Sequence, residues 1–518
     1  MKWIVMGESD GGKIKLVSQN SNNSGILPKG SYLTIESGDV LHVLRVDESY
    51  QDEPYHPSTL ISDLNLDGLS SDNNCKNIVL AYRVYDKTNR NDGLIDFIKP
   101  QQYARRSTQA EIDLALGDIE KGPRVFVAAM QANQDTILAD DEGKLITAKL
   151  PEEMFFHQMM ICGKTGSGKT VSIKYLTQYF IEEMQGAVLA VNVKDVDLLM
   201  MDKATDVTND EISREWKDVE GYAHGISNFT IYKPANDDRR QVGIDSNRCR
   251  KIGLDVAKID PESLAGLLQG ISEIGAMSLP SIFAYWRKTK QDKNLPVRFT
   301  DFCKEFSANE GRSFNAINSR GESIPVTLHK ATFDNIIRCL SNASSFFDNN
   351  GLQVLDADDI LTPGNLSVID VTGKDGTSFG SVLLRDLLSK IVAVKQNRTN
   401  DVPVLIIIDE VHMFYNTSAS MEALGDLDTI CRTGRSSKIG VIFASQSPAD
   451  IPSGLSSVID TKIFFKTDSP NVKPLGIKVT PEELEGLKAG FAVASIHSLP
   501  QLKVLKFPLA FAGVVRNG

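Results

Sequence analysis

Gly163-Lys164-Thr165-Gly166-Ser167-Gly168-Lys169-Thr170 decides the fold. The stretch fits GxxxxGK[ST], a loop whose glycines let backbone N–H groups converge on phosphate oxygens. Its flanks agree. Gln158–Cys162 before it (QMMIC) suits a buried strand, and Val171–Met184 after it sets Ile173, Leu176 and Phe180 at helical spacing. A strand, this loop and then a helix aim the positive end of the helix dipole at an anion. Lys169 is expected to reach the β- and γ-phosphates of a nucleotide, and Thr170 to ligate Mg²⁺. The eight-residue pattern alone can arise by chance; the strand and helix around it argue against coincidence.

Two further strands complete the reading. Val404–Ile408 (VLIII) is apolar and β-branched, the mark of a strand buried on both faces, and Asp409-Glu410 stands at its C-terminal end, where ligands bind in such sheets. Asp409 is assigned to the Mg²⁺ shell and Glu410 to the attacking water. Gly440–Ala444 is a third strand, with Gln446 just beyond it. In an additional-strand, RecA-like P-loop NTPase it would lie between the other two, with Gln446 at the γ-phosphate or the water. The expected site is therefore Gly163–Thr170, Asp409, Glu410 and Gln446, with ATP and Mg²⁺ as ligands.

Residues 1–150 read as β. Short apolar runs (Trp3–Met6, Ile14–Val17, Tyr32–Ile35, Leu41–Val46, Ile78–Val84, Val125–Ala129, Thr136–Leu138) are parted by turns such as Asp10-Gly11-Gly12 and Pro28-Lys29-Gly30, which suggests a small barrel or sandwich. From 151 to about 490 apolar strands (Ala187–Val193 and Leu366–Val371 among them) alternate with helices, an α/β core. Between about 200 and 345 the reading is mostly helical, an insertion on that core with a sharp helix start at Asp260-Pro261-Glu262. Residues 491–518 read as a last strand and a tail.

The 518 residues carry a net charge of −11, which argues against a wholly basic nucleic-acid coat but leaves room for a basic channel. Six scattered cysteines without a CxxC pair give neither a zinc site nor a disulfide framework. No apolar run approaches the ~20 residues of a membrane helix. MKWIVMGESDGGK meets polar residues too early for a signal peptide, so the expected location is the cytoplasm, without a membrane partner.

GKTGSGKT at 163–170, IIIDEVH at 406–412 and ASQSP at 444–448, with the order of the domains, resemble the HerA–FtsK superfamily, the HerA branch in particular. The resemblance is strong in the core and weak over the first 150 residues. It implies a homohexameric ring with ATP between subunits, a central channel for double-stranded DNA, and a HAS-barrel-like N-terminal domain that docks an effector. That effector is a NurA-like or other nuclease in DNA end resection, or a nuclease or sirtuin-like NAD-hydrolase in anti-phage defence. Arg432-Thr433-Gly434-Arg435 is similar to the family's arginine-bearing helix end, which makes Arg435 or Arg432 the arginine that reaches a neighbour's γ-phosphate. Basic residues completing a helix C-terminus are the alternative for both. Asn192-Val193-Lys194-Asp195 looks like the family's segment after the second strand, but Asp195 stands where a glycine is expected, and no role follows.

Three functions fit these residues: a DNA-translocating helicase-type motor, a nucleotide-regulated scaffold for the effector without translocation, and a type IV secretion-type coupling ATPase. Relatives of the third kind usually bring membrane segments. For the channel, Lys374 in a glycine-flanked loop is a better candidate than Arg287-Lys288-Thr289-Lys290, which a solvated helix face explains as well.

Overall fold

The computed structural model describes residues 3–7, 12–19, 26–52, 76–87, 96–131, 134–194, 197–207, 209–239, 241–268, 270–318, 320–347, 352–373, 376–414, 427, 430, 434–451, 458–467 and 478–515. Six strands close an N-terminal barrel: β1 (Trp3–Val5), β2 (Lys13–Gln19), β3 (Tyr32–Ser37), β4 (Val40–Asp52), β5 (Lys76–Lys87) and β6 (Tyr103–Arg106). Trp3, Leu16, Leu33, Leu44, Val46 and Val79 fill it, the inward half of each alternating pattern. Sequence patterning missed β6, whose YARR holds a single small apolar residue, Ala104, which faces inward. It closes the barrel by pairing with both β1 and β3.

Two strands expected beside the barrel belong elsewhere. β7 (Arg124–Ala129) and β8 (Thr136–Ile137), with β9 (Thr147–Lys149), join a large sheet of the nucleotide-binding core. The alternation of Val125–Ala129 correctly marks a strand but cannot name its partner, and partner choice is a tertiary property. The rest of the sheet is β10 (Met159–Cys162), β11 (Ala187–Asn192), β12 (Phe229–Pro234), β13 (Cys249–Gly253), β16 (Gln353–Val354), β17 (Leu366–Asp370), β18 (Val404–Ile408), β19 (Ile439–Ser445), β20 (Thr461–Phe464), β21 (Phe491–Ser495) and β22 (Val504–Lys506); β14 (Ser313–Ile317) and β15 (Ser323–Thr327) pair apart from it. The order is β16-β13-β12-β17-β11-β18-β19-β10-β20-β21-β22-β7-β8, parallel from β16 to β20 and antiparallel beyond. β19 therefore lies between β18 and β10, as an additional-strand NTPase requires.

β18 shows why these residues make this sheet. Val404, Ile406 and Ile408 pack into one apolar cluster and Leu405 and Ile407 into the other, so both faces are covered. Burial of each such side chain contributes roughly 1.5–3 kcal/mol. The helix Lys169–Glu182 lays Ile173, Leu176, Phe180 and Ile181 onto the second cluster. Within the expected insertion, β12 and β13 are core strands, and the helical part is concentrated over 261–343. There Glu273–Asp292, Phe299–Ser307 and Lys330–Ala343 enclose Phe283, Phe299, Phe302 and Phe306. Asp260-Pro261 opens the helix Pro261–Leu267, one of the shorter ones.

The barrel rests on the core. Lys29 Nζ donates to Glu483 Oε1 at 2.6 Å, and Tyr32 Oη and Arg45 donate to the carbonyl of Gln501. No helix among the described residues is long and apolar enough to cross a membrane.

Candidate active site

The C-terminal ends of β10, β11, β18 and β19 meet on one side of the sheet. After β10 the chain turns through Gly166 (φ +78°) and Gly168 (φ +106°) into the helix that starts at Lys169. Gly168 has no room for a side chain: an added Cβ would lie 2.8 Å from the backbone nitrogen of Gly490. The helix N-terminus thus opens onto a cavity of about 440 Å³, lined by Lys164–Gly166, Gly168–Val171, Lys194, Asp409 and Glu410.

Four side chains gather at its floor. Lys169 Nζ lies 3.5 Å from Asp409 Oδ1 and 3.3 Å from Glu410 Oε1, and all three groups are buried. Gln446 Nε2 donates to Glu410 Oε1 at 3.2 Å, and Lys194 forms an ion pair with the same oxygen. Glu410 Oε2 is buried without a hydrogen-bond partner, and His412 Nδ1 stands 3.5 Å from it. Glu410 reaches this position with φ +48°, a left-handed conformation that costs a non-glycine residue roughly 1–2 kcal/mol. Its own N–H donates to Asp409 Oδ1 at 2.9 Å. Such strain is typical of a residue aimed for function rather than packing.

Electrostatics separates the two acids. Burial pushes the Asp409 carboxyl above its ordinary value, and the charge of Glu410 adds to that, against Lys169. Burial also raises Glu410, but the hydrogen bonds from Lys194 and Gln446 and the charge of Lys169 outweigh it and hold this carboxyl low. The Asp409 carboxylate and Thr170, which line the same cavity, offer hard oxygen donors of the kind that suits Mg²⁺. Ser167 Oγ, buried and without a partner, and the free N–H groups of the helix start suit phosphate.

The far wall is one that sequence reasoning did not find. Ile212, Glu215, Ala489, Gly490 and Lys506–Leu509 close the cavity, and Trp216 Nε1 fixes that wall by donating to the Leu509 carbonyl at 2.7 Å. The tail beyond it is held by its own chain, since Lys174 Nζ donates to the Gly513 carbonyl at 2.7 Å. Lys194 was also missed. The signal was its place just past β11, on the ligand end of the sheet.

Arg435 is not among these groups. It is exposed and precedes β19 at the opposite end from Gln446, about 20 Å away by strand rise. Arg432, Lys374 and Asp195 lie outside the described residues. Arg287 donates to the Ile259 carbonyl and Lys290 pairs with Glu305 at 2.6 Å, so both basic groups serve the helical region itself. Cys162, Cys249, Cys303 and Cys339 form no disulfide.

A second polar cluster sits at that opposite end. His157 Nδ1 and His497 Nδ1 lie 2.9 and 3.4 Å from Asp460 Oδ2. Their rings are within 14° of parallel with centroids 3.3 Å apart. In-plane lone pairs of such rings run side by side rather than meet at one point, which suits a hydrogen-bonded stack better than a shared metal.

No protein-family model matches the chain. It is similar to the DNA double-strand break repair helicase HerA of Sulfurisphaera tokodaii, 22% identical over 241 residues, 42% of this chain and 48% of that protein. The chain thus spans about half the length of the curated relative it matches. Among solved structures, the bacterial conjugative coupling protein TrwB aligns over 79% of this chain and 92% of its own, 12% identical, with a TM-score of 0.45. VirB4 of Thermoanaerobacter pseudethanolicus aligns over 75% and 96%, 11% identical, also at 0.45. TrwB in complex with ADP and Mg²⁺ aligns over 71% and 89%, 12% identical, at 0.43.

Proposed function

We propose, from the premise that this chain belongs to the HerA–FtsK superfamily as a distant homologue of HerA, that it is a Mg²⁺-dependent ATPase working as a homohexameric ring motor. The observation that carries this reading is the meeting of Lys169, Asp409 and Glu410 at the floor of one cavity beneath a helix N-terminus, with Gln446 hydrogen-bonded to Glu410. ATP phosphates replace the carboxylates as partners of Lys169 and of the loop N–H groups. Thr170 and Asp409 would hold Mg²⁺, which would neutralise charge on the phosphates. Glu410, relieved of Lys169, orients and polarises the attacking water, and Gln446 touches the water or the γ-phosphate. Arg435, or Arg432, completes the site from the neighbouring subunit.

The ring translocates on double-stranded DNA in its channel and acts in the cytoplasm, in DNA processing or anti-phage defence. The barrel docks an effector, a NurA-like or other nuclease or a sirtuin-like NAD-hydrolase. We place the docking unit at the barrel strands, and the core from β7 onward. The net charge of −11 favours a second reading, a nucleotide-regulated scaffold that assembles the effector without translocating.

Two variants test the chemistry. Lys169→Ala removes the main cation for buried phosphate charge and is expected to abolish useful binding of a fluorescent ATP analogue. Glu410→Gln is expected to bind it and to hydrolyse ATP at least about 10²-fold more slowly, because its role lies in the transition state. Wild-type turnover in Glu410→Gln removes the assignment. Displacement of a DNA triplex with ATP separates motor from scaffold.

A further inference from the structure

Three donors share one oxygen of Glu410. Lys169, Lys194 and Gln446 all meet Oε1, while Oε2 is buried without a hydrogen-bond partner. The three are not equivalent once a nucleotide enters. Lys169 belongs to the phosphate loop, and phosphate oxygens draw it off the carboxylate. Gln446 is neutral. That leaves Lys194 as the one cation of the trio free to stay.

Its placement suits that task. Lys194 follows the C-terminal end of β11 and lines the same cavity, with its side chain 41% exposed. Two residues before it, Asn192, buried at the last position of β11, accepts the Leu198 N–H at 3.1 Å. The ammonium therefore comes from a different element than the phosphate loop, one whose strand end is tied from inside.

We propose that Lys194 is a positioning residue of the ATPase, holding Glu410 Oε1 on the cavity side of the sheet after Lys169 has moved to the phosphates; the inference rests on the ATPase reading above. In the step it supports, the water oxygen bonds to the γ-phosphorus and the bond to the β–γ bridging oxygen breaks. The electron pair leaves on ADP, and the water's proton passes to the Glu410 carboxylate and then to solvent. Lys194 acts only through Glu410 and takes no part in the bonds that change. A carboxylate displaced by about 1 Å at such a site costs about 10²-fold in rate.

The test uses the full-length protein. Lys194→Met is expected to lower kcat about 10²-fold while affinity for a fluorescent ADP analogue stays within about threefold, because the lysine orients a base rather than binding nucleotide. Lys194→Arg is expected to restore most of the rate. The double variant Lys194→Met/Glu410→Gln is expected to be no slower than Glu410→Gln alone, since residues that act as a unit are not additive. Lys194→Gln repeats the series should Lys194→Met not fold. Turnover of Lys194→Met at or above the wild-type rate overturns the proposal, as does a double variant in which the two losses multiply. A Glu410→Gln protein that hydrolyses ATP normally instead brings down the underlying assignment, and is seen without reference to Lys194.

Discussion

The two ends of the same parallel strands are built on opposite plans. At the C-terminal ends of β10, β11, β18 and β19, charged groups are buried around a cavity and compete for too few partners: three donors on one Glu410 oxygen, and none on the other. At the N-terminal ends, His157 and His497 stack on each other and share Asp460, and Arg435 is exposed. Leaving a buried polar atom unpaired costs about 1–3 kcal/mol, a cost that a ligand pairing with Glu410 Oε2 and Ser167 Oγ would remove. The first end is incomplete by itself in exchange for binding. The second pairs one acid with two histidines of its own chain, beside an exposed arginine.

The largest effect expected from this contrast is in trans. If Arg435 serves a neighbour's ATP, each site belongs to two chains. Lys169→Ala subunits then keep the arginine and lose the pocket, and Arg435→Ala subunits the reverse. Each pure variant is expected to be nearly inactive, because an arginine finger is worth roughly 10³–10⁵ in rate. Mixed before assembly, with mixing proved by two tags pulled down in turn, they are expected to recover a fraction of wild-type ATPase activity. A series doped with wild-type subunits must run beside them, since a strictly coordinated ring stays silent even with good interfaces. Full activity in Arg435→Ala alone moves the assignment to Arg432 or ends it. A monomer that hydrolyses ATP at full rate in Mg²⁺ ends the shared site altogether.

The ligand end was legible in the sequence because its chemistry is local. Gly163–Thr170 is one continuous loop, and Asp409-Glu410 follows an apolar run that announces a doubly buried strand. Lys194 was not legible, because nothing in Asn192-Val193-Lys194 says that its ammonium meets a glutamate 216 positions away. The same holds for the far wall at Lys506–Leu509, brought to the cavity by β22. The barrel's boundary failed for a related reason. Alternation shows that Val125–Ala129 is a strand, but only β22, pairing Leu505 with Val127, decides which sheet takes it.

That boundary yields an effect of intermediate size. A protein starting at Leu150 lacks β7 and β9, and leaves β22 as an open, apolar edge. It also loses Phe126 and Val127, both fully buried. It is expected to aggregate, or to melt more than about 10 °C below the full chain. A protein starting at Thr108 keeps these strands and the helix Gln109–Ala115, and is expected to bind nucleotide while losing the effector. Equal stability of the two, measured by thermal unfolding, means that β7 is not integral to the core. Co-purification of the shorter barrel-less protein with its effector removes docking from the barrel.

The smallest effect belongs to the histidine stack at the opposite end. Burial lowers the pKa of His497, and the neighbouring His157 and Arg435 lower it further against Asp460. Its folded value therefore lies below the ordinary value of about 6.5 that it has in the unfolded chain. Below about 6.5 the unfolded state takes up this proton more readily than the folded one, so stability rises with pH across that window and falls as the medium is acidified. Charged groups around the ring work in both directions: Asp460 and Glu153 favour protonation, and Arg435 opposes it. His497→Gln keeps a polar side chain and removes the titration. Melting temperatures of wild type and variant, measured from pH 8 down to pH 5, are expected to diverge below about 6.5, with the variant less sensitive to acid there. The difference between the two curves is the readout. Parallel curves mean that the stack does not set its own protonation, and that the end of the sheet away from the nucleotide is no more tuned than an ordinary surface.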